Sequence, residues 1–195
     1  MPALIRIFVL VAAGIGLALS GPTPASAHVT DHMTGFGHGL IHPLIGLDHL
    51  FAIVAVGVLS GVGAGKSARA LPFLFTLALA IGAFMGLGAP ESNIVEPAIA
   101  ASVVVLGIAI MRPGLLRAFS LTGIVVCLAL VHGYAHGSEA PAGGASLFIA
   151  GMSVTALALA MAASWFFHLP ALKPRLWYFG ATCSVAGLAM LLPSL

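Results

Sequence analysis

Charge is what this 195-residue sequence has least of: seven Lys/Arg and five Asp/Glu. Soluble domains carry about a quarter charged residues. A chain with 6% cannot cover itself with a water-compatible surface. The shortage excludes a soluble enzyme and a disordered chain. A formal net charge of +2 also leaves no basic patch for nucleic acid. Cysteine is scarce too. Cys127 and Cys183 both sit in apolar runs and make neither a disulfide framework nor a Cys-x-x-Cys metal motif, so both are expected as packing residues. The seven methionines are scattered, with no Met-x-x-Met pair to mark a Cu(I) pathway. No His-Glu-x-x-His, Gly-x-Ser-x-Gly or Walker motif occurs, which argues against a hydrolase or an ATPase.

What is present is apolar. Hydrophobic residues make up 61% of the chain, and the mean hydropathy is +1.16. Residues 1–27 read as a cleaved signal peptide. Arg6 supplies the positive start, residues 7–19 the apolar core, and Ala25-Ser26-Ala27 the small-x-small cleavage site. The remainder, residues 28–195, reads as a single domain. A bilayer core takes ~20 apolar residues per helix. Six such runs are expected, at 36–60, 70–87, 92–111, 115–134, 145–167 and 176–192. Gly/Pro breaks separate them. The fold class is therefore an all-α membrane protein, a six-transmembrane-helix bundle that follows a cleaved signal peptide.

The few charges orient it. Lys66, Arg69, Arg112, Arg117, Lys173 and Arg175 all fall in the loops after spans one, three and five, while Asp31, Glu91 and Glu139 fall on the other side. Positive loops stay in the cytoplasm, so both mature termini are expected in the periplasm of a bacterial inner-membrane protein. Spans one to three and four to six would then run in opposite senses, as an inverted repeat requires. The two halves show no evident sequence similarity.

Titratable groups inside a membrane span are costly and mark function. Span one holds His38, His42, Asp48 and His49. On a continuous helix Asp48 would lie ~18 Å from its start, and His42 and His49 would differ by ~20° around the axis. Pro43 biases His42 away from the helical region, so a start or kink is expected there. Span four ends in His132-Gly133-Tyr134-Ala135-His136-Gly137-Ser138-Glu139, which can place two imidazoles and a carboxylate on one stripe. Glu96 enters span three, about one turn below Glu91. All these groups are expected at the periplasmic end, with His28 and His32 of the mature tail. His168 is expected alone at the opposite interface. Imidazole with carboxylate and no thiolate suits Ni²⁺, Co²⁺ or Zn²⁺. Binding should weaken on acidification, because the ligating forms are deprotonated.

Residues 42–49, His-Pro-Leu-Ile-Gly-Leu-Asp-His, continuing into Ala55-Val56-Gly57, resemble the first-helix signature of the HupE/UreJ proteins. Residues 132–139 resemble their second signature. Val95-Glu96 with residues 101–107 looks like their third-helix pattern. Leu59 departs from the aromatic expected after the Val-Gly pair, and Phe51-Ala52-Ile53 departs where Met is common. The resemblance implies a nickel or cobalt permease associated with hydrogenase or urease maturation. It gives His42, Asp48, His49, Glu96, His132, His136 and Glu139 a metal role. His38 joins the candidates from its position in span one. The transported ion is then the one inorganic partner, beside membrane lipid, and no organic cofactor or catalytic residue is expected. Two other readings remain: a membrane metal-binding accessory protein that does not transport, and a b-type cytochrome with paired axial histidines.

Overall fold

The computed structural model describes residues 35–90, 92–115, 118–141 and 143–192. The expected signal peptide, His28, Asp31, His32, Glu91 and Arg117 lie outside the described residues. From Thr34 onward the chain is one compact unit. All regular elements among the described residues are helical: α1 (Phe36–Ile45), α2 (Leu47–Val62), α3 (Gly65–Gly86), α4 (Val95–Met111), α5 (Ala118–Ser138), α6 (Ala145–Phe167), a 3₁₀ turn (Pro170–Arg175) and α7 (Leu176–Leu191). A helix satisfies its own backbone polar groups, which is what hydrocarbon demands of a spanning segment. Among the described residues three helices are long and apolar enough to cross a membrane: α3, α6, and α5 from Ser120 to Ser138. The α1–α2 pair makes a fourth candidate, and α4 is a shorter apolar helix.

The expected single helix over 36–60 is not what forms. It breaks at Gly46, and α1 and α2 meet at 85°. Pro43 sits inside α1, and the backbone leaves the helical region three residues later, where Gly46 is extended (φ −79°, ψ 112°). Proline provides no N–H, so the last turn of α1 is already weakened. The expected axial distance of Asp48 and the shared face of His42 and His49 do not hold, because these residues belong to different helices. Lys66 and Arg69, expected in a loop, lie in the opening turns of α3.

Close backbone contact organises the bundle. Helices α1 and α2 pack on α6, α3 on α5, and α4 on α7. Lipid tails are as apolar as leucine, so association relies on small residues that let backbones touch. Gly57 and Gly61 lie against Ala160 and Ser164. Gly82 and Gly86 lie against Leu130 and Tyr134, and Gly133 and Gly137 against Leu79 and Ala83. The buried centre is filled by Val56, Phe75, Leu79, Val103, Leu106 and Met152. Cys183 is buried, as expected, but Cys127 is exposed on α5. Apolar composition does not separate a lipid-facing position from a packed one, which is why the sequence misplaces it.

Candidate metal centre

The break at Gly46 builds the centre. It gives α2 a fresh N-terminus whose first N–H groups lack helical partners. Asp48 meets that need: its Oδ1 accepts the backbone N–H of His49 at 2.8 Å and lies 2.7 Å from His49 Nδ1. A carboxylate is also favoured at a helix N-terminus. A Cβ on residue 46 would stand 2.9 Å from His49 Nδ1 and 3.1 Å from Asp48 Oδ1. A side chain here would have to displace the Asp48–His49 pair, and that close approach is what favours glycine, since its φ and ψ are open to any residue.

The bend turns His42 and His49 toward the end of α5, where the expected stripe forms. His42 Nε2 is 2.8 Å from His136 Nδ1 and 3.2 Å from Glu139 Oε2. His136 Nδ1 is 4.0 Å from the same oxygen. One ligand atom from each of His42, His136 and Glu139 falls within 4.8 Å of the others. These are two imidazoles from α1 and α5 and a carboxylate from the turn that follows α5, the donor set for a borderline divalent cation. His136 is 1% exposed, His42 22% and Glu139 49%, so the trio leads from the surface into the bundle.

A second group of rings continues inward. The His49 ring is 4.1 Å from that of His136 and 4.9 Å from that of His132. His132 is fully enclosed, and its Nε2 lies 2.6 Å from Ser102 Oγ on α4. His49 Nε2 is buried and has no hydrogen-bond partner. An orphaned imidazole nitrogen in such a place is costly unless something else occupies it. Glu96 lies in the first turn of α4. Phe148 of α6, itself fully buried, packs edge-on against the His42 ring at 5.0 Å.

Of the eight candidates, His42, His136 and Glu139 converge directly. His49 and His132 meet edge to face beneath them, Asp48 holds His49, and Glu96 lies in the first turn of α4. His38 stands apart from the trio, edge-on to His42 at 5.8 Å and to Phe148 at 5.2 Å. His168 lies at the far end, exposed, with its Nδ1 3.3 Å from Gly61 O. Sequence reasoning missed Ser102 as a partner of His132. Its lone hydroxyl in an apolar run and its place within residues 101–107 of the third-helix pattern were the signals, and such serines commonly bond within their own helix.

Comparison with known proteins points one way. The family described as HupE / UreJ protein matches residues 15–191. Protein HupE of Rhizobium leguminosarum bv. viciae is 37% identical over 124 residues, which cover 64% of this chain and 65% of that protein. No solved structure matches the chain.

Proposed function

The chain belongs to the HupE/UreJ family, and from that premise and the ligand geometry we propose that it is a permease for a divalent transition metal. Nickel is the first choice and cobalt the second. The observation that carries this reading is the convergence of His42, His136 and Glu139 within 4.8 Å. Beneath them lies the unpartnered Nε2 of His49. Permeation needs sites strong enough to admit an ion and weak enough to release it. Mixed imidazole and carboxylate ligands, graded from half-exposed Glu139 to enclosed His132, suit that better than a closed thiolate cage. A cytochrome fits poorly, because the His136 ring lies 4.6 Å from that of His42 and 4.1 Å from that of His49, with no porphyrin-wide gap in either pair.

The ion would enter from the periplasm past Glu139 and His42. A potential negative inside favours entry of a divalent ion by about 4.6 kcal/mol per 100 mV. The test is uptake of radiolabelled nickel into cells that express the chain, with cobalt and zinc as competitors. Uptake above the empty-vector level, lost in His136→Ala at equal membrane abundance, is the expected result. Metal binding by the purified protein without any uptake would mark an accessory protein and sink the permease reading.

A further inference from the structure

We infer that Ser102 and Asp48 lock the neighbouring imidazoles of His132 and His49 in opposite tautomers, so that His132 offers Nδ1 to a metal and His49 offers Nε2. The inference rests on the metal-permease reading for its consequence, but not for its geometry. Ser102 has one hydroxyl proton. It donates that proton to the carbonyl of Ile99 at 2.6 Å, because a carbonyl can only accept. The same Oγ lies 2.6 Å from His132 Nε2. With its proton committed, Oγ can only accept there, so Nε2 must carry the ring proton. In neutral His132 the lone pair is then on Nδ1.

The reverse assignment holds next door. The ionised Asp48 carboxylate is acceptor-only, and its Oδ1 lies 2.7 Å from His49 Nδ1. His49 therefore carries its proton on Nδ1. Its lone pair is on Nε2, the buried nitrogen without a partner. The two rings meet edge to face at 4.9 Å and 87°. Fixing a ligand's tautomer through its other nitrogen is how outer groups tune a metal site. Asp48 is visible in the sequence as a polar anomaly. Ser102 is a positioning residue that acts only through His132. At 1% exposure it has no other described side-chain partner.

The experiment uses the full chain in lipid nanodiscs, metal-free and labelled with ¹⁵N-histidine. His132→Gln and His49→Gln identify the two sets of ring signals. Nitrogen NMR should show a protonated Nε2 and bare Nδ1 for His132, and the converse for His49. Ser102→Ala should redistribute the His132 proton and weaken nickel binding to the same nanodiscs about tenfold. Ser102→Thr, which can make the same helical back-bond, should keep the tautomer and bind within about threefold of wild type. A purely space-filling role would leave the His132 signals unmoved in Ser102→Ala. A His132 ring protonated at Nδ1 in the wild type overturns the inference. So does Ser102→Ala that binds nickel like wild type. If Ser102→Ala fails to insert, the wild-type and Ser102→Thr spectra still decide the tautomer. If the wild type shows the expected tautomers but neither binds nor transports nickel, the permease reading falls and the hydrogen-bond lock stands.

Discussion

A neutral imidazole carries its lone pair on the nitrogen that lacks the proton, and a group that accepts from the other nitrogen fixes which one that is. For His49 that group is Asp48, whose Oδ1 serves both the ring and the backbone N–H. The role differs from direct ligation, and substitution separates the two. Asp48→Ala should raise the half-saturating nickel concentration by about 10–100-fold, the usual cost of losing an outer partner. Asp48→Asn keeps an acceptor oxygen without the charge and should fall between Asp48→Ala and wild type. His49→Ala should lower the maximal rate. The measurement is uptake against metal concentration, normalised to protein in the membrane. Equal loss in Asp48→Asn and Asp48→Ala would mean that the charge itself is needed and the orienting role is secondary. At this scale the sequence was readable where a residue is anomalous in lipid. His42 stood out because its presence in a membrane segment is expensive, and His136 and Glu139, just past the expected end of span four, stood out by their helical spacing from His132. Ser102 did not, since a serine that bonds its own backbone costs little and its meeting with His132, thirty positions on, depends on how α4 packs.

The helices explain why the spacing argument for span one failed while that for span four held. His132, His136 and Glu139 share a continuous stripe because Glu139 N–H still bonds Ala135 O at 3.2 Å. His42 and His49 come together by the opposite device, a break. Pro43 drew attention as the disruptive residue, yet the backbone turns at Gly46, where the Asp48–His49 pair stands in place of helix continuity. Gly46→Ala should therefore insert normally and lose most of its uptake, because the added methyl would displace that pair. Normal transport by Gly46→Ala would show that the close approach is dispensable. The α3–α5 seam gives a second element-scale test. Gly133 and Gly137 directly follow His132 and His136 and touch the backbone of α3. Gly137→Leu should separate the two helices, lowering stability by about 1–3 kcal/mol and uptake with it. Gly123, on the same helix, has open space around its Cβ position. Gly123→Ala should be neutral or slightly stabilising, since alanine is the better helix former. Thermal melts of the detergent-solubilised variants would rank them, and equal melting temperatures would remove the seam from the argument.

Counting α1 and α2 as one segment, the molecule pairs its first segment with its fifth, its second with its fourth and its third with its sixth. Exchanging the first three segments for the last three returns the same pairs. Directions agree as well. Gly57 and Gly61 meet Ala160 and Ser164, and Gly82 and Gly86 meet Leu130 and Tyr134, so both pairs run parallel. Gly107 meets Gly180 while Gly187 meets Ala100, so the central pair runs antiparallel. This is the packing that an inverted repeat would produce, though side-chain similarity between the halves is not evident. The histidine centre occupies one end. At the other, Gly61 meets His168, and Leu59, Gly63, Arg112 and Pro113 line a common pocket. Trp165, Trp177 and Tyr178 are exposed close in sequence to Lys173 and Arg175, the aromatic and basic residues that would suit a membrane interface. Inversion requires all six segments to cross. In a variant lacking Cys127 and Cys183, Gly88→Cys should react with a membrane-impermeant maleimide on spheroplasts. Lys173→Cys should react only after permeabilisation, and a reporter after Leu195 should be active in the periplasm. A cytoplasmic C-terminus would mean an odd number of crossings after a periplasmic start. The exchange of halves would then be a packing coincidence, and entry from the periplasm past Glu139 would have to be abandoned if Gly88→Cys were also shielded.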